Sequence, residues 1–339
     1  MLTLVSDQPA PPEIVALAEA RSRARGTRDW READELRTRI EAGGWRVVDV
    51  GTDFSLWPAH PPDTVTDGRT FHGSVDSVPS RLDEPASSKA TVVLVVEEDG
   101  DALDAALEAL AAHAPADAQV IVVAPGDRLT EARCDEIVGT VQTFSPGDAL
   151  QAAIRRASGS VIVVMEPDRI PTGDVVGPLL EGLEDPMVAV IGIEGLLSAD
   201  LRRYHPAQTG DATVLRSGCY AFRRDDAIAR GPIDGRLHLA GSVAAWWSLL
   251  LRDEGPHALP RRAVAVDLPL ERREGEAPAL PADHARSARR DAYRIADRFR
   301  GHDWLALADE EVRGVPGDGP DGDHHDDDPD ERGDTADAE

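Results

Sequence analysis

From Thr91 onward, short apolar β-branched runs alternate with stretches of helical period, and this alternation constrains the fold more than any other feature of the chain. Thr91–Val96, Gln119–Val123, Val161–Met165 and Met187–Ile193 read as strands. Asp101–His113, Gly147–Ala157 and Val175–Leu183 read as helices between them. Continuous apolar runs are what strands buried on both faces look like. A βαβα order implies an α/β fold, a mostly parallel sheet with helices on both faces. A further strand region is expected around 211–225, a helix with Trp246 and Trp247 at Val243–Arg252, and a last strand at Ala263–Leu268. Ser287–Phe299 is a basic amphipathic helix expected to pack back on the domain. Aromatics make up only 4% of the chain, so the core must be built mainly from Ala, Val, Leu and Ile.

One strand ends in chemistry. Val161–Met165 runs straight into Glu166-Pro167-Asp168. In open α/β sheets ligands sit at the carboxyl ends of strands. Two carboxylates delivered there can hold Mn2+ or Mg2+ against a substrate phosphate, because hard cations take oxygen ligands and Mg2+ bridges to phosphates. That points to a phosphorylated substrate such as a nucleotide-sugar. The plainer reading is a pair of solvated loop acids. For Trp246-Trp247 core packing competes with sugar stacking, and for Arg272-Arg273 a solvated surface pair competes with phosphate contact.

Ahead of the α/β region, residues 1–12 read as a flexible N-terminus and 13–57 as a helical hairpin unit. Ile14, Leu17 and Ala18 share one helix face, and Ala33, Leu36 and Ile40 another. Asp29 with Glu32 fits a capping box, Gly43-Gly44 a helix stop, and Trp45–Val50 a strand. Trp30, Trp45 and Trp57 fall in this unit, which is small enough to need large side chains in its core. Residues 58–90 form a Pro/Ser/Asp-rich linker with a β-ribbon signal at Asp67-Gly68. The α/β domain spans 91–272 and a helical extension 273–314. Residues 315–339, nearly free of apolar side chains, form an acidic tail expected to be disordered. Its His324-His325-Asp326-Asp327-Asp328 run is read as solvated.

Net charge is −27, which disfavours a broad nucleic-acid-binding surface. Two cysteines, Cys134 and Cys219, make no disulfide framework, and Cys219 reads as a small buried apolar residue. No signal peptide or membrane-length apolar run is evident, so a cytoplasmic location is expected.

Two stretches carry resemblances. Phe144-Ser145-Pro146-Gly147 through Ala157-Ser158-Gly159, the following strand, and Glu166-Pro167-Asp168 resemble family 2 glycosyltransferases of the GT-A fold. That family places a helix ending in Ala-x-Gly before a strand ending in Asp-x-Asp. Ser217-Gly218-Cys219-Tyr220 resembles its acceptor-side strand and Gly231-Pro232-Ile233-Asp234 its Gly-Gly-Phe-Asp turn. The resemblance covers 91–272 and implies a nucleoside-diphosphate sugar donor, with Glu166 and Asp168 on a divalent metal. It further implies donor contacts from Asp127, Arg272 and Arg273. The chain departs from the family in having Glu166 for the first Asp. Where the family's Glu-Asp pair supplies the acceptor base, this chain has Val243-Ala244, so the expected base position is Ala244. Asp234 and Asp253 are the acids left as candidates, and no catalytic residue is assigned.

The second resemblance covers residues 16–57. Ala33-Asp34 with Arg37, after Asp29-Trp30, is similar to the small C-terminal domain of cysteinyl-tRNA synthetase. It implies tRNA contact through Arg21, Arg25 and Arg28. An oligomerisation or protein-docking hairpin fits the same residues. Three functions follow: a metal-assisted glycosyltransferase, a GT-A-like protein that binds nucleotide-sugar or a partner without turnover, and a tRNA-associated accessory protein.

Overall fold

The computed structural model describes residues 10–50, 53–59, 61–66, 68–96, 101–125, 133–207, 209–273 and 284–307. The acidic tail and Asp127 therefore lie outside the described residues.

Helices α1 (Pro12–Gly26) and α2 (Trp30–Ala42) pack together and are followed by a hairpin of β1 (Trp45–Val50) and β2 (Asp53–Pro58). Asp29 caps α2, its Oδ1 accepting the Glu32 N–H at 3.1 Å. Gly44, at φ 78°, carries the chain out of the helix through the left-handed region that glycine favours. The core of this unit differs from the expectation of three buried tryptophans. Trp45 is buried with Ile14, Ala18, Ile40 and Val47, but Trp30 is 56% exposed and Trp57 46%. Small residues explain it: Ala24 and Ala33 pack with Leu36 where the helices meet, so little interior is left for indoles to fill. Trp30 instead lies under the Arg25 guanidinium, 5.7 Å from the ring centre.

The segment read as a linker contributes two strands. β3 (Thr64–Thr66) and β4 (Arg69–His72) form the ribbon expected at the turn, with Thr66 opposite Arg69 and Gly68 at φ 75°. β4 then pairs in parallel with β7 (Glu136–Thr140), a strand with no sequence signal. A lone two-stranded ribbon is marginal in water, and docking on a larger sheet supplies its missing partner.

The main sheet also contains β5 (Ser88–Val95), β6 (Ala118–Pro125), β8 (Gly159–Met165), β10 (Val188–Gly192), β13 (Gly210–Ala212), β15 (Cys219–Arg223) and β16 (Arg262–Ala265). Its order is β13-β16-β10-β15-β8-β5-β6-β7-β4-β3. The block β8-β5-β6-β7-β4 is parallel, and β15 runs antiparallel between β8 and β10. Alternation along the strands feeds two cores. Val92, Leu94, Val122 and Val163 meet α3 (Asp101–His113) and α5 (Val176–Gly182) through Leu103, Leu107 and Leu179. Val93, Ile121, Val123 and Ile162 meet α4 (Pro146–Arg156) and α7 (Ala240–Arg252) through Leu150 and Trp247, and α8 (His284–Arg298) extends that layer through Ile295. A short helix, α6 (Arg224–Arg230), follows β15. The fold class is thus the one expected: α/β, a mostly parallel sheet with helices on both faces, plus a small N-terminal helical unit. Among the described residues no helix is long and apolar enough to cross a membrane.

The Ala157-Ser158-Gly159 junction shows why that sequence precedes the strand. Gln119 Oε1 accepts from the Ser158 N–H at 2.8 Å, and Thr91 Oγ1 accepts from the Gly159 N–H at 2.8 Å. A Cβ on Gly159 would run into the backbone of Ala90 and Thr91. The junction fixes the register of β8, and with it the height at which Glu166 leaves the sheet.

Candidate functional site

At the carboxyl end of β8 the chain makes a tight turn, the Arg169 N–H donating to the Glu166 carbonyl at 3.0 Å. β15 lies beside it, so the Ser217-Gly218 segment meets this turn: the Glu166 N–H donates to the Gly218 carbonyl at 2.8 Å. Gly218 is at φ 121°, which glycine adopts freely, and a Cβ there would crowd the Ile193 side chain at 3.1 Å beside Arg169. The antiparallel pairing of Cys219 with Met165 therefore brings two sequence segments 52 residues apart into one site.

A second pairing closes the site. β9 (Arg169–Pro171) runs antiparallel to β17 (Leu270–Arg272), with Arg169 opposite Arg272. The Arg273 N–H donates to the Asp168 carbonyl at 2.8 Å, and Arg272 Nε donates to Asp168 Oδ2 at 2.9 Å. Four of the five residues expected at a donor site, Glu166, Asp168, Arg272 and Arg273, are thus neighbours. Asp127 lies outside the described residues, although β6, parallel to β5, carries Pro125 to the same edge of the sheet.

The charges are arranged unevenly. Asp168 Oδ2 is occupied by Arg272, whereas Oδ1 is buried with no hydrogen-bond partner among the described residues. Arg169 sits 3.9 Å from Oδ1 but gives its Nη2 to Glu194 at 2.7 Å, and Arg216 reaches the other Glu194 oxygen at 3.7 Å. The Glu166 carboxylate makes no hydrogen bond or ion pair among the described residues. Burial, reinforced by that nearby carboxylate, pushes the Tyr220 phenol up. No group of three or more His, Cys, Asp or Glu side chains able to hold a metal is found among the described residues. Two carboxylates, one with an orphaned oxygen, still fit the manner in which Mg2+ or Mn2+ binds to phosphates, since the substrate and water supply the other ligands.

The remaining candidates lie elsewhere. Ala244 is fully buried inside α7, its carbonyl taking the Ser248 hydroxyl at 2.7 Å. Asp234 is held by the Arg236 fork at 2.8 and 2.7 Å, and that pairing keeps its carboxyl below the usual carboxylate range. Asp253 sits at the far end of α7, about 20 Å from its N-terminus at 1.5 Å per residue. Burial there would raise the Asp253 carboxyl, but donation from the Gly255 N–H, Trp304 and His302 outweighs it and holds it low. Of the arginines read as RNA contacts, Arg21 is only 6% exposed, while Arg25 and Arg28 are on the surface.

Sequence reasoning missed Arg169, Glu194 and the pair His238–Asp291. Glu194 has a left-handed φ of 57° with no glycine to announce it. Asp291, on α8, is fully buried and accepts from the His238 and Leu239 N–H groups at 2.9 and 3.0 Å and from His238 Nδ1 at 3.0 Å. A carboxylate only accepts, so neutral His238 donates Nδ1–H and leaves Nε2 free to take a proton. His238 precedes α7 by two residues, and a Cβ added to Gly241, at the start of that helix, would lie 3.8 Å from the Ser217 hydroxyl. The pair spans 53 residues of sequence, and only the packing of α8 on α7 reveals it.

No family model matches the chain, and no curated protein matches it. Solved structures similar to it are GT-A-type glycosyltransferases. GalNAc-T7 with UDP, GalNAc and Mn2+ aligns at 12% identity over 62% of this chain and 48% of that one, TM-score 0.46. A mannosyltransferase from Pyrobaculum calidifontis with GDP-Man and Mn2+ aligns at 16% identity over 66% and 69%, TM-score 0.45. S. aureus TarS aligns at 12% identity over 62% and 40%, TM-score 0.42. The chain spans about half the length of the first of these.

Proposed function

We propose that the chain binds a nucleoside-diphosphate sugar at the carboxyl end of β8 and transfers its sugar to an acceptor. The observation that carries this reading is the convergence of Glu166 and Asp168 with Arg272, which lies 104 residues beyond Asp168, on one strand end. There Arg272 holds one Asp168 oxygen, while the other Asp168 oxygen and the Glu166 carboxylate have no hydrogen-bond partner among the described residues. In this reading Glu166 and Asp168 hold Mn2+ or Mg2+, and Arg272 and Arg273 bear on the diphosphate. Guanidinium groups suit phosphate because their planar forks donate two parallel bonds. The metal would neutralise charge on the leaving diphosphate. His238, oriented by Asp291, is the proton acceptor we assign to the acceptor hydroxyl in place of the missing acid at Ala244.

A second reading, binding without turnover, is favoured by one observation: Ala244 is a buried methyl where a base is expected. Calorimetric titration of UDP- and GDP-sugars with and without Mn2+, followed by donor hydrolysis, separates the two. Metal-dependent binding lost in Glu166→Gln/Asp168→Asn supports the site. Hydrolysis lost in His238→Gln with donor binding kept supports transfer, and binding without any hydrolysis or transfer supports the second reading. Donor binding unchanged in the double carboxylate variant overturns both.

A further inference from the structure

The helix α8 forms one wall of a groove of about 850 Å³ that shares no lining residue with the site at β8. Arg286, Arg290, Arg294 and Arg298 recur every fourth residue along it, one face of a helix, with Arg236 on the opposite wall. Like charges four apart repel, so this row works against the helix that carries it.

The acids beside the groove neutralise only part of it. Asp234 holds Arg236, and Asp291, buried against His238, comes within 3.9 Å of Arg294, while Asp297 pairs with Arg300 at 2.8 Å. Arg286, Arg289 and Arg290 are exposed and form no ion pair among the described residues. Arg294 is fixed in place, donating to the Arg236 carbonyl at 3.0 Å. Trp246 also lines the groove; it is 7% exposed and packs edge-on against Phe299, ring centres 5.5 Å apart. Tyr293, 69% exposed, adds an aromatic face on the same helix.

We propose that this groove is a second ligand site, for a compact phosphorylated molecule, with Arg286 and Arg290 as its principal phosphate contacts. Compactness follows from the charge distribution. The arginine field is local, fading within about 8 to 10 Å at ordinary salt. A long polyanion would reach past it onto an acidic protein, whereas a phosphate cluster confined to the groove would not. Guanidinium forks pair bidentately with phosphate oxygens, and a phosphate cluster concentrates more charge in the groove than the spaced carboxylates of an acidic peptide.

The test is calorimetry of the full chain with inorganic tripolyphosphate at low salt. Saturable one-to-one binding that weakens as salt rises is expected. Arg286→Gln/Arg290→Gln should weaken it by about tenfold or more with the fold intact by circular dichroism. Arg202→Gln, an exposed arginine elsewhere, should bind as wild type. Co-sedimentation with phosphatidylcholine vesicles carrying phosphatidate distinguishes a lipid phosphate from a soluble one, and the same double variant should abolish it if it occurs. A flat wild-type isotherm, a double variant that binds like wild type, or an aspartate peptide of equal charge that binds as tightly would each overturn the proposal. Donor binding at β8 is measured separately, so failure of one site leaves the other standing.

Discussion

Replacing Asp291 tests how the loop carrying His238 is held. The carboxylate is fully buried and accepts three hydrogen bonds, from two backbone N–H groups and one imidazole, at 2.9 to 3.0 Å. Asp291→Ala strands both N–H groups in the interior. Removing one partner of a buried charged network costs about 3 to 5 kcal/mol. For a domain this size each kcal/mol moves Tm by about 2 to 4 °C, so a fall on the order of 10 °C is expected. Asp291→Asn keeps an oxygen for the two N–H groups, and its amide can face the imidazole once the proton moves to Nε2. Its cost should be only about 1 kcal/mol, the ordinary value of one hydrogen bond. That tautomer leaves no free Nε2 lone pair, so Asn should spare stability while still removing proton acceptance by His238. Thermal unfolding by circular dichroism and donor hydrolysis are the two assays. An alanine variant melting with wild type, or an asparagine variant as unstable as alanine, would refute the reasoning.

Arg252 is 3% exposed, its pKa pushed down to about 10 by burial, and it donates to the Arg261 and Leu305 carbonyls at 2.9 and 3.1 Å and to Thr213. Arg252→Met fills the same shaft but leaves those carbonyls unanswered, and chemical denaturation should show a loss of about 3 kcal/mol. Asp234, Asp253 and Asp200 are all held below the ordinary carboxylate range. A depressed folded pKa contributes stability above the unfolded value and loses it as pH falls through the folded one, so the melting temperature should drop below about pH 4. Asp253→Asn should make that acid limb shallower, and an unchanged limb would remove Asp253 from the explanation.

Much of the fold can be read from the chain because burial on both faces leaves a local trace. Thr91–Val96 and Val161–Met165 are apolar without a break, and the helices between them repeat with a period set by the backbone. Asp29 and Gly44 mark the ends of α2 by the hydrogen bond and the dihedral they supply. Glu166 and Asp168 are legible for the same reason, since a buried strand that stops at two acids must deliver them to a sheet edge. β7 left no trace because five residues of mixed character show no period.

What the sequence by itself determined is therefore local: the alternating elements, their caps, and the strand end where two carboxylates emerge. The tertiary structure alone decided the partners. Strand pairing of β9 with β17 set Arg272 on Asp168, and the packing of α8 on α7 buried Asp291 under His238 and set a row of arginines along one groove. Hydrogen bonds and ion pairs act over about 3 to 4 Å and are indifferent to separation along the chain. Residues 50 or 100 positions apart become neighbours only when the apolar faces between them have been buried.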